Sequence, residues 1–307
     1  MEKIFKALGD LNRLRIALIL ERGPLSVGEI TRVLGLSQSN VSHHLKKLTE
    51  AGVVYRRGER GWVFYGINPG EPAVADIVGV ITARREAVTA SEADFRRLSA
   101  LYRDRRSRSR EFFAALGDRW AVVRESLPPP ENYMEKLAGA LGTPDSLLEV
   151  GIGAGHMIPF LCRVARRVVG VDNSPEMLSE AAATASSLGL ASRVETRLGE
   201  AEHLPLGDFS VDAVLMHFML HHAGNPREAL AEAGRVLSQG GILVVVEFTG
   251  PSTDSFRHRH GDLWPGFTRD ELTAWCRPAG LLPQGPVEPK DKSMMISVYR
   301  KGENHAL

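Results

Sequence analysis

Residues 37–54 read SQSNVSHHLKKLTEAGVV. At about 100° per residue, Val41, Leu45 and Leu48 fall on one helical face and anchor it to a core. Ser39, His43 and Lys46 point the opposite way. Asn40, Ser42 and Lys47 flank that outward face, and Gln38 stands at its start. Small polar side chains near a helix N-terminus suit base edges in a DNA groove, and lysines suit phosphates. His44 falls nearer the buried face and reads as a structural histidine.

The flanking sequence extends this pattern. IFKALGDLNRLRIALIL, residues 4–20, has helical apolar spacing broken near Gly9-Asp10. Ser26 with Glu29 three residues on is a capping-box pattern for the short helix VGEITRVL, which stops at Gly35. Ser37 caps the helix that follows, so two helices joined by a glycine-containing turn form a helix-turn-helix. After Gly52, the β-rich runs Val53–Tyr55 and Trp62–Ile67 flank a basic tip with Arg56, Arg57 and Arg60. That is a hairpin signal, and such a wing grips phosphates or the minor groove.

Taken together, FKALGDLNRLRIALIL, LSVGEITRVLGLSQSNVSHHLKKLTEAGVV and RRGERGWVFYGI resemble the ArsR-type winged-helix repressors over residues 1–80. The resemblance implies a homodimer that addresses an inverted repeat in double-stranded operator DNA and releases it when an effector binds. It implies DNA contacts from Gln38, Ser39, Asn40, Ser42, His43, Lys46, Lys47, Arg56, Arg57 and Arg60. Ile4, Leu8 and the helix from about Ala73 to Val88 are expected to supply the dimer interface. Many metal-sensing members carry a Cys-x-Cys type motif before the recognition helix, where this chain has LSVGEI, with Ser26 and Gly28 in those places. Soft or borderline metals need thiolate or imidazole ligands, so no metal is expected and another signal should control the repressor.

Residues 81–130 read as a helical connector of one or two long helices, with Leu98, Leu101, Phe112, Phe113, Leu116 and Trp120 at helical intervals. The run Arg103–Arg110 reads as a solvated face, with DNA contact as the alternative. PPPEN at 128–132 marks a boundary.

From residue 131 onward the pattern changes. SLLEVGIGAGHMIPFL is an apolar run, a Gly-rich turn and a helix-like segment. RVVGVDNSPEML is a second buried strand ending in Asp172, and VDAVLM and GILVVVEF follow with EALAEAGRVL between them. Strand–helix alternation argues a parallel sheet covered on both faces. A dinucleotide site would want G-x-G-x-x-G, but the sixth position is His156 from Gly151 and Ile158 from Gly153, which counts against it.

The ordered set LLEVGIGAG, VVGVDNSPEML, RLGEAEHLPLGDFSVDAVLMHFMLHH and EAGRVLSQGGILVVVEF resembles class I S-adenosylmethionine-dependent methyltransferases over most of residues 131–250. The domain expected is residues 131–307, α/β and Rossmann-like, with a seven-stranded, mostly parallel sheet closed by MMISVYRK as an antiparallel strand. The resemblance implies Glu149 as the acidic residue of the first motif, with Gly151, Gly153 and Gly155 looping around the methionine half. Asp172 would bind ribose, Asn173 and Met177 would flank the adenosine, and Gly199, Glu200 and Ala201 would contact adenine. His217 joins this ligand set, the ligand being S-adenosylhomocysteine or S-adenosylmethionine. His217, His221, His222, His258 and His260 are general-base candidates by residue type, and no catalytic residue is assigned. Arsenic methylation would need several convergent thiols; Cys162 and Cys276 lie in apolar segments and read as core.

Two functions remain. One is a repressor whose methyltransferase-like domain senses S-adenosylhomocysteine or S-adenosylmethionine, resembling methionine-cycle regulators. The other is an active small-molecule methyltransferase with an accessory DNA-binding domain. Charge fits either: the net +1 of 307 residues divides into +5 over residues 1–70, +2 over 71–128 and −6 beyond, placing nucleic-acid contact in front. No apolar run approaches the ~20 residues of a membrane-spanning helix, and two distant cysteines suit a reducing cytoplasm.

Overall fold

In a computed structural model of the chain, residues 1–58, 63–116, 127–249, 263–264, 266–285 and 287–302 are described. The expectations on Arg60, Trp62, Trp120, His258 and His260 lie outside the described residues. Two compact units divide the chain, Met1–Arg105 and Arg106–Leu307.

The first unit opens with helices α1 (Glu2–Leu8) and α2 (Leu11–Glu21), separated at Gly9-Asp10, where Asp10 caps α2 by accepting from the Arg13 amide. Helix α3 (Val27–Leu34) begins in the full capping box of Ser26 and Glu29 and ends at Gly35, φ +66°. Helix α4 (Gln38–Glu50) is capped by Ser37 and buries Val41, His44, Leu45 and Leu48. Strand β1 (Leu25–Ser26), β2 (Val54–Arg57) and β3 (Phe64–Ile67) form an antiparallel sheet in the order β1-β3-β2. Helix α5 (Pro72–Thr82) follows. Side chains of α1 to α5 fill one core, joined by Leu98, Leu101 and Tyr102.

Those last three residues belong to α6 (Ser91–Leu116), and the boundary between the units falls inside this helix. The arginine run on it is not a uniform solvated face. Arg103, Arg108 and Arg110 are exposed, but Arg105 is buried and bonded to Glu29, 2.8 Å away. Helical periodicity turns every third or fourth side chain inward, and here a carboxylate awaits it. Asp94 on the same helix receives a bidentate pair of bonds from Arg15, at 2.7 and 2.8 Å. Ile4 and Leu8, expected at an interface between copies, are instead buried in the unit's own core. Among the described residues, the large exposed apolar side chains on α1 and α5 are Phe5 and Val80.

The second unit is built on a seven-stranded sheet ordered β6-β5-β4-β7-β8-β10-β9. Strands β4 (Ser146–Val150), β5 (Arg167–Asp172), β6 (Val194–Leu198), β7 (Val211–His217) and β8 (Leu237–Phe248) pair in parallel. Strand β10 (Met294–Lys301) is antiparallel to β8 and to β9 (Leu281–Pro283). Helices α7 (Met134–Leu141), α8 (Ile158–Val164), α9 (Pro175–Ser187), α10 (Pro226–Val236) and α11 (Arg269–Cys276) accompany the strands. The expected seven-stranded, mostly parallel sheet is present. Strands β4 and β5 are buried almost throughout because parallel strands lie between two helical layers. Their C-terminal ends, and the topological switch beside β4, position the site. Cys162 and Cys276 are both free and buried.

Candidate functional site

On the first unit, α4 presents Gln38, Ser39, Ser42, His43, Lys46 and Lys47 as exposed side chains, with Asn40 half-buried. Val41, Leu45 and Leu48 hold the opposite face in the core. Lys46 lies 3.9 Å from Glu50 across one turn, an exposed pair of small energetic weight. Strand β2 carries Arg56 exposed and Arg57 half-buried. His44 is buried 3.7 Å from Asp10, and burial lowers its pKa.

The second unit contains a cavity open to solvent. Gly151, Gly153, Asp172, Asn173, Met177, Gly199 and Ala201 line it. Gly151 and Gly153 lie at φ +76° and +52°, a region that favours glycine. A Cβ on Gly151 would stand 2.8 Å from Met219, so the turn needs glycine for space as well. Asp172 ends β5 and ties the turn together: one carboxylate oxygen accepts from the Gly153 amide at 2.9 Å, the other from Ser174 at 3.0 Å. Burial raises the Asp172 pKa, and these amide bonds oppose it.

Glu149 stands behind the turn rather than among the lining residues. It is 1% exposed, and its Oε2 has no hydrogen-bond partner. Burial, reinforced by Asp172, pushes its pKa well up, leaving a carboxyl suited to a polar ligand atom. Gly155, at φ +81°, packs against Ile158 and Ala181 and shapes the turn from outside the cavity. Glu200 faces Arg106, with Nε 3.0 Å from the carboxylate. The turn, the tethered Asp172 and the orphaned Glu149 oxygen fit a ligand with adjacent polar and ribose-like parts.

The other lining residues include aromatics and histidines. His217 ends β7, bonds to the Tyr133 hydroxyl at 3.0 Å, and has its pKa pushed down to about 3 by burial with a smaller push from His156. Burial raises Tyr133 to about 12. Phe218 adopts φ +48°, a conformation that costs energy for an aromatic residue. His221 bonds through Nδ1 to Glu247 Oε2 at 2.8 Å, while Glu247 Oε1 accepts from the Leu220 and His221 amides. Glu247, on β8, and the 3-10 turn Leu220–His222 are thereby locked together. His222 lines the cavity too.

Sequence reasoning missed Arg106, Ser109, Phe113, Glu202 and Phe248 as lining residues, and Glu247 as the partner of His221. A carboxylate ending the apolar run VVVEF was a usable signal for Glu247, since a buried charge requires a partner. Nothing in the spacing of Phe113 distinguishes it from an ordinary helix-face residue.

A model of the bacterial regulatory proteins of the arsR family matches residues 10–56, and a methyltransferase domain model matches residues 148–245. Over 86 residues the chain is 41% identical to the arsenic resistance transcriptional regulator ArsR1 of Pseudomonas putida, covering 27% of this chain and 67% of that one. The chain belongs to the ArsR family, fused to a class I methyltransferase domain. The fusion is also 33% identical over 105 residues to the uncharacterized methyltransferase YcgJ of Bacillus subtilis, 34% of this chain and 41% of that one. It spans about a third to two thirds of the length of curated relatives such as these. In fold, the ArsR–methyltransferase chain is similar to a complex of the Haloferax volcanii Trm112 methyltransferase activator with its putative methyltransferase. The TM-score is 0.52 at 19% identity, covering 64% of this chain and 99% of that one. Among the described residues no helix is long and apolar enough to cross a membrane, and no group of three or more His, Cys, Asp and Glu could hold a metal.

Proposed function

We propose that this chain is a homodimeric, cytoplasmic repressor whose methyltransferase-like domain binds S-adenosylhomocysteine or S-adenosylmethionine and thereby sets operator affinity, controlling methionine-cycle genes. The observation that carries this reading is the use made of LSVGEI. Ser26 and Glu29 form the capping box of α3, and Glu29 also holds Arg105 of α6. The region that bears thiols in metal-sensing relatives is committed to helix capping and an ion pair, while α4 keeps an exposed reading face. A second site for an effector is then required, and the glycine turn with Asp172 supplies one of the right chemistry.

Helix α6 carries Arg105, bonded to Glu29, and Arg106, bonded to Glu200, at successive positions. A ligand changes DNA affinity only by binding two conformations differently, and about 5.5 kcal/mol of difference takes a 99:1 population to 1:99. Through α6, a ligand that displaces Glu200 from Arg106 would reach the capping box of α3. Calorimetric titration with both S-adenosyl ligands, alongside operator binding with each present, tests the reading. Operator affinity unchanged by saturating amounts of both would overturn it.

A second reading, an active methyltransferase, draws support from the His221–Glu247 pair. A carboxylate that holds Nδ1–H of an imidazole leaves Nε2 as the basic nitrogen, and His221 lines the cavity. Such a nitrogen would take the proton of an acceptor as it is methylated. Steady methyl transfer to a small molecule would favour this reading.

A further inference from the structure

The two edges of the seven-stranded sheet differ in character. At one edge, β9 is three residues long and ends in Pro283, which has no amide hydrogen to donate. At the other, β6 reads VETRL, contains no proline, and among the described residues pairs with β5 alone. The Arg193 carbonyl and the Gly199 amide both bond toward β5. Strand alternation therefore turns the amides and carbonyls of Val194, Thr196 and Leu198 outward. The edge is open to solvent, with Glu195 exposed and Leu198 60% exposed.

This strand is chemically self-complementary. Laid antiparallel on a second copy about a two-fold axis at Thr196, Val194 faces Leu198, Glu195 faces Arg197 and Thr196 faces its own counterpart. The backbone agrees with that register. Val194, Thr196 and Leu198, whose polar groups point outward, become the hydrogen-bonded positions, each exchanging N–H···O bonds with its opposite. Glu195 and Arg197 then take the non-hydrogen-bonded positions, where side chains stand closest and opposite charges are favourable. Within one chain Arg197 bonds Glu195 at 2.7 Å and the Pro205 carbonyl at 2.9 Å, so pairing joins two ion pairs into one ring of alternating sign. Charges that guard an edge do so by repelling a like-charged neighbour; on β6 self-pairing brings unlike charges together. Val194 packs against the unit's core, and in the pair it would also cover the second copy's exposed Leu198.

We propose that β6 is an interface between two copies of this chain, pairing antiparallel with itself about Thr196 and joining two seven-stranded sheets into one. A contact along five residues is small against a stand-alone interface. It suits copies that another surface already tethers, as in the homodimer proposed above, where the effective concentration reaches about millimolar. To that extent the proposal rests on the homodimer reading. Strand β6 runs directly into Gly199, a lining residue, so the junction borders the cavity of each copy.

The test uses the full chain carrying Thr196→Cys, reduced and then oxidised, with the covalent dimer read on a denaturing gel. In the proposed register the two Cα atoms at 196 stand about 5.5 Å apart, inside the roughly 4.4–6.8 Å that a disulfide spans. Glu195→Cys is the register control: its two copies lie diagonally, at about 7–8 Å, and Cys162 and Cys276 are buried. Thr196→Cys is expected to cross-link about tenfold faster than Glu195→Cys, whose separation a disulfide does not bridge without backbone movement. Adding Glu195→Arg to Thr196→Cys should suppress the cross-link, since like charges then face each other, and the further change Arg197→Glu should restore it. Equal rates for Thr196→Cys and Glu195→Cys, or a rate indifferent to the charge reversals, overturns the proposal. Run at about 1 mM chain, the concentration a tether would supply, the comparison does not depend on the homodimer. A monomeric mass for the reduced protein removes the homodimer reading, and the cross-linking rates still decide on β6.

Discussion

Arg106 Nε lies 3.0 Å from the Glu200 carboxylate, immediately after Arg105 on the helix makes its own bond to Glu29. The Arg106 and Glu200 side chains are partly exposed, so their pair is worth no more than about 1 kcal/mol to stability. Its value to the proposed function is positional. Glu200 lies between two lining residues, Gly199 and Ala201, so a bound adenosine would compete with Arg106 for it. Arg106→Ala is expected to leave the urea midpoint nearly unchanged and S-adenosylhomocysteine still bound, while the operator response falls. A variant that binds ligand and responds like the unaltered protein would remove α6 from the coupling.

Asp172→Ala should abolish the ligand response and leave ligand-free operator binding intact. The carboxylate holds the Gly153 and Ser174 amides, so its loss removes a ligand contact and loosens the turn. Hydrogen bonds to charged groups contribute about 1.5–3 kcal/mol each, which puts the expected loss of ligand affinity at tenfold or more. Calorimetry and operator binding measured on the same preparation check both halves of the statement.

The pattern of SQSNVSHHLKKLTEAGVV placed the recognition helix because its periodicity and its caps agree, and local rules suffice for a helix held by its own core face. EVGIGAG and the strand ending at Asp172 were legible for a similar reason: only glycine serves at φ +76° beside Met219. What stayed hidden depends on distant pairing. Arg105 looked like one more solvated arginine until Glu29, 76 residues away, was found beside it. Phe113 and Phe248 meet the cavity from α6 and β8, and no spacing in the chain announces that convergence. Ile4 and Leu8 were apolar in either reading, and the pattern could not tell an internal core from a partner's surface.

On the DNA side, wing and helix should behave differently. Arg57→Ala is expected to weaken binding to all sequences alike and to flatten the salt dependence by about one unit of slope, as loss of a phosphate contact does. Ser39→Ala, Asn40→Ala and His43→Ala should change which base pairs are preferred, at about 1–3 kcal/mol per altered contact. Titrations of operator and point-mutated operators at two salt concentrations separate the two effects. Identical behaviour of all four variants would mean that α4 does not read bases.

The last prediction concerns His217. Its pKa is pushed down to about 3 from an ordinary 6.5, chiefly by burial. Between those values the unfolded chain binds a proton that the folded chain refuses, so the contribution of His217 to stability is full above pH 6.5 and declines as pH falls. From pH 6.5 to about 5 the loss should reach about 2 kcal/mol. Glu149 and Asp172, whose pKa values are raised, act in the opposite sense as pH changes, so the whole-protein curve mixes the two. Comparing the protein with His217→Gln isolates the histidine. Urea unfolding at several pH values should show the variant losing less stability on acidification, with the gap widening steadily below 6.5. A constant gap across that window would mean that His217 takes up its proton in the folded state, and that burial does not hold it neutral.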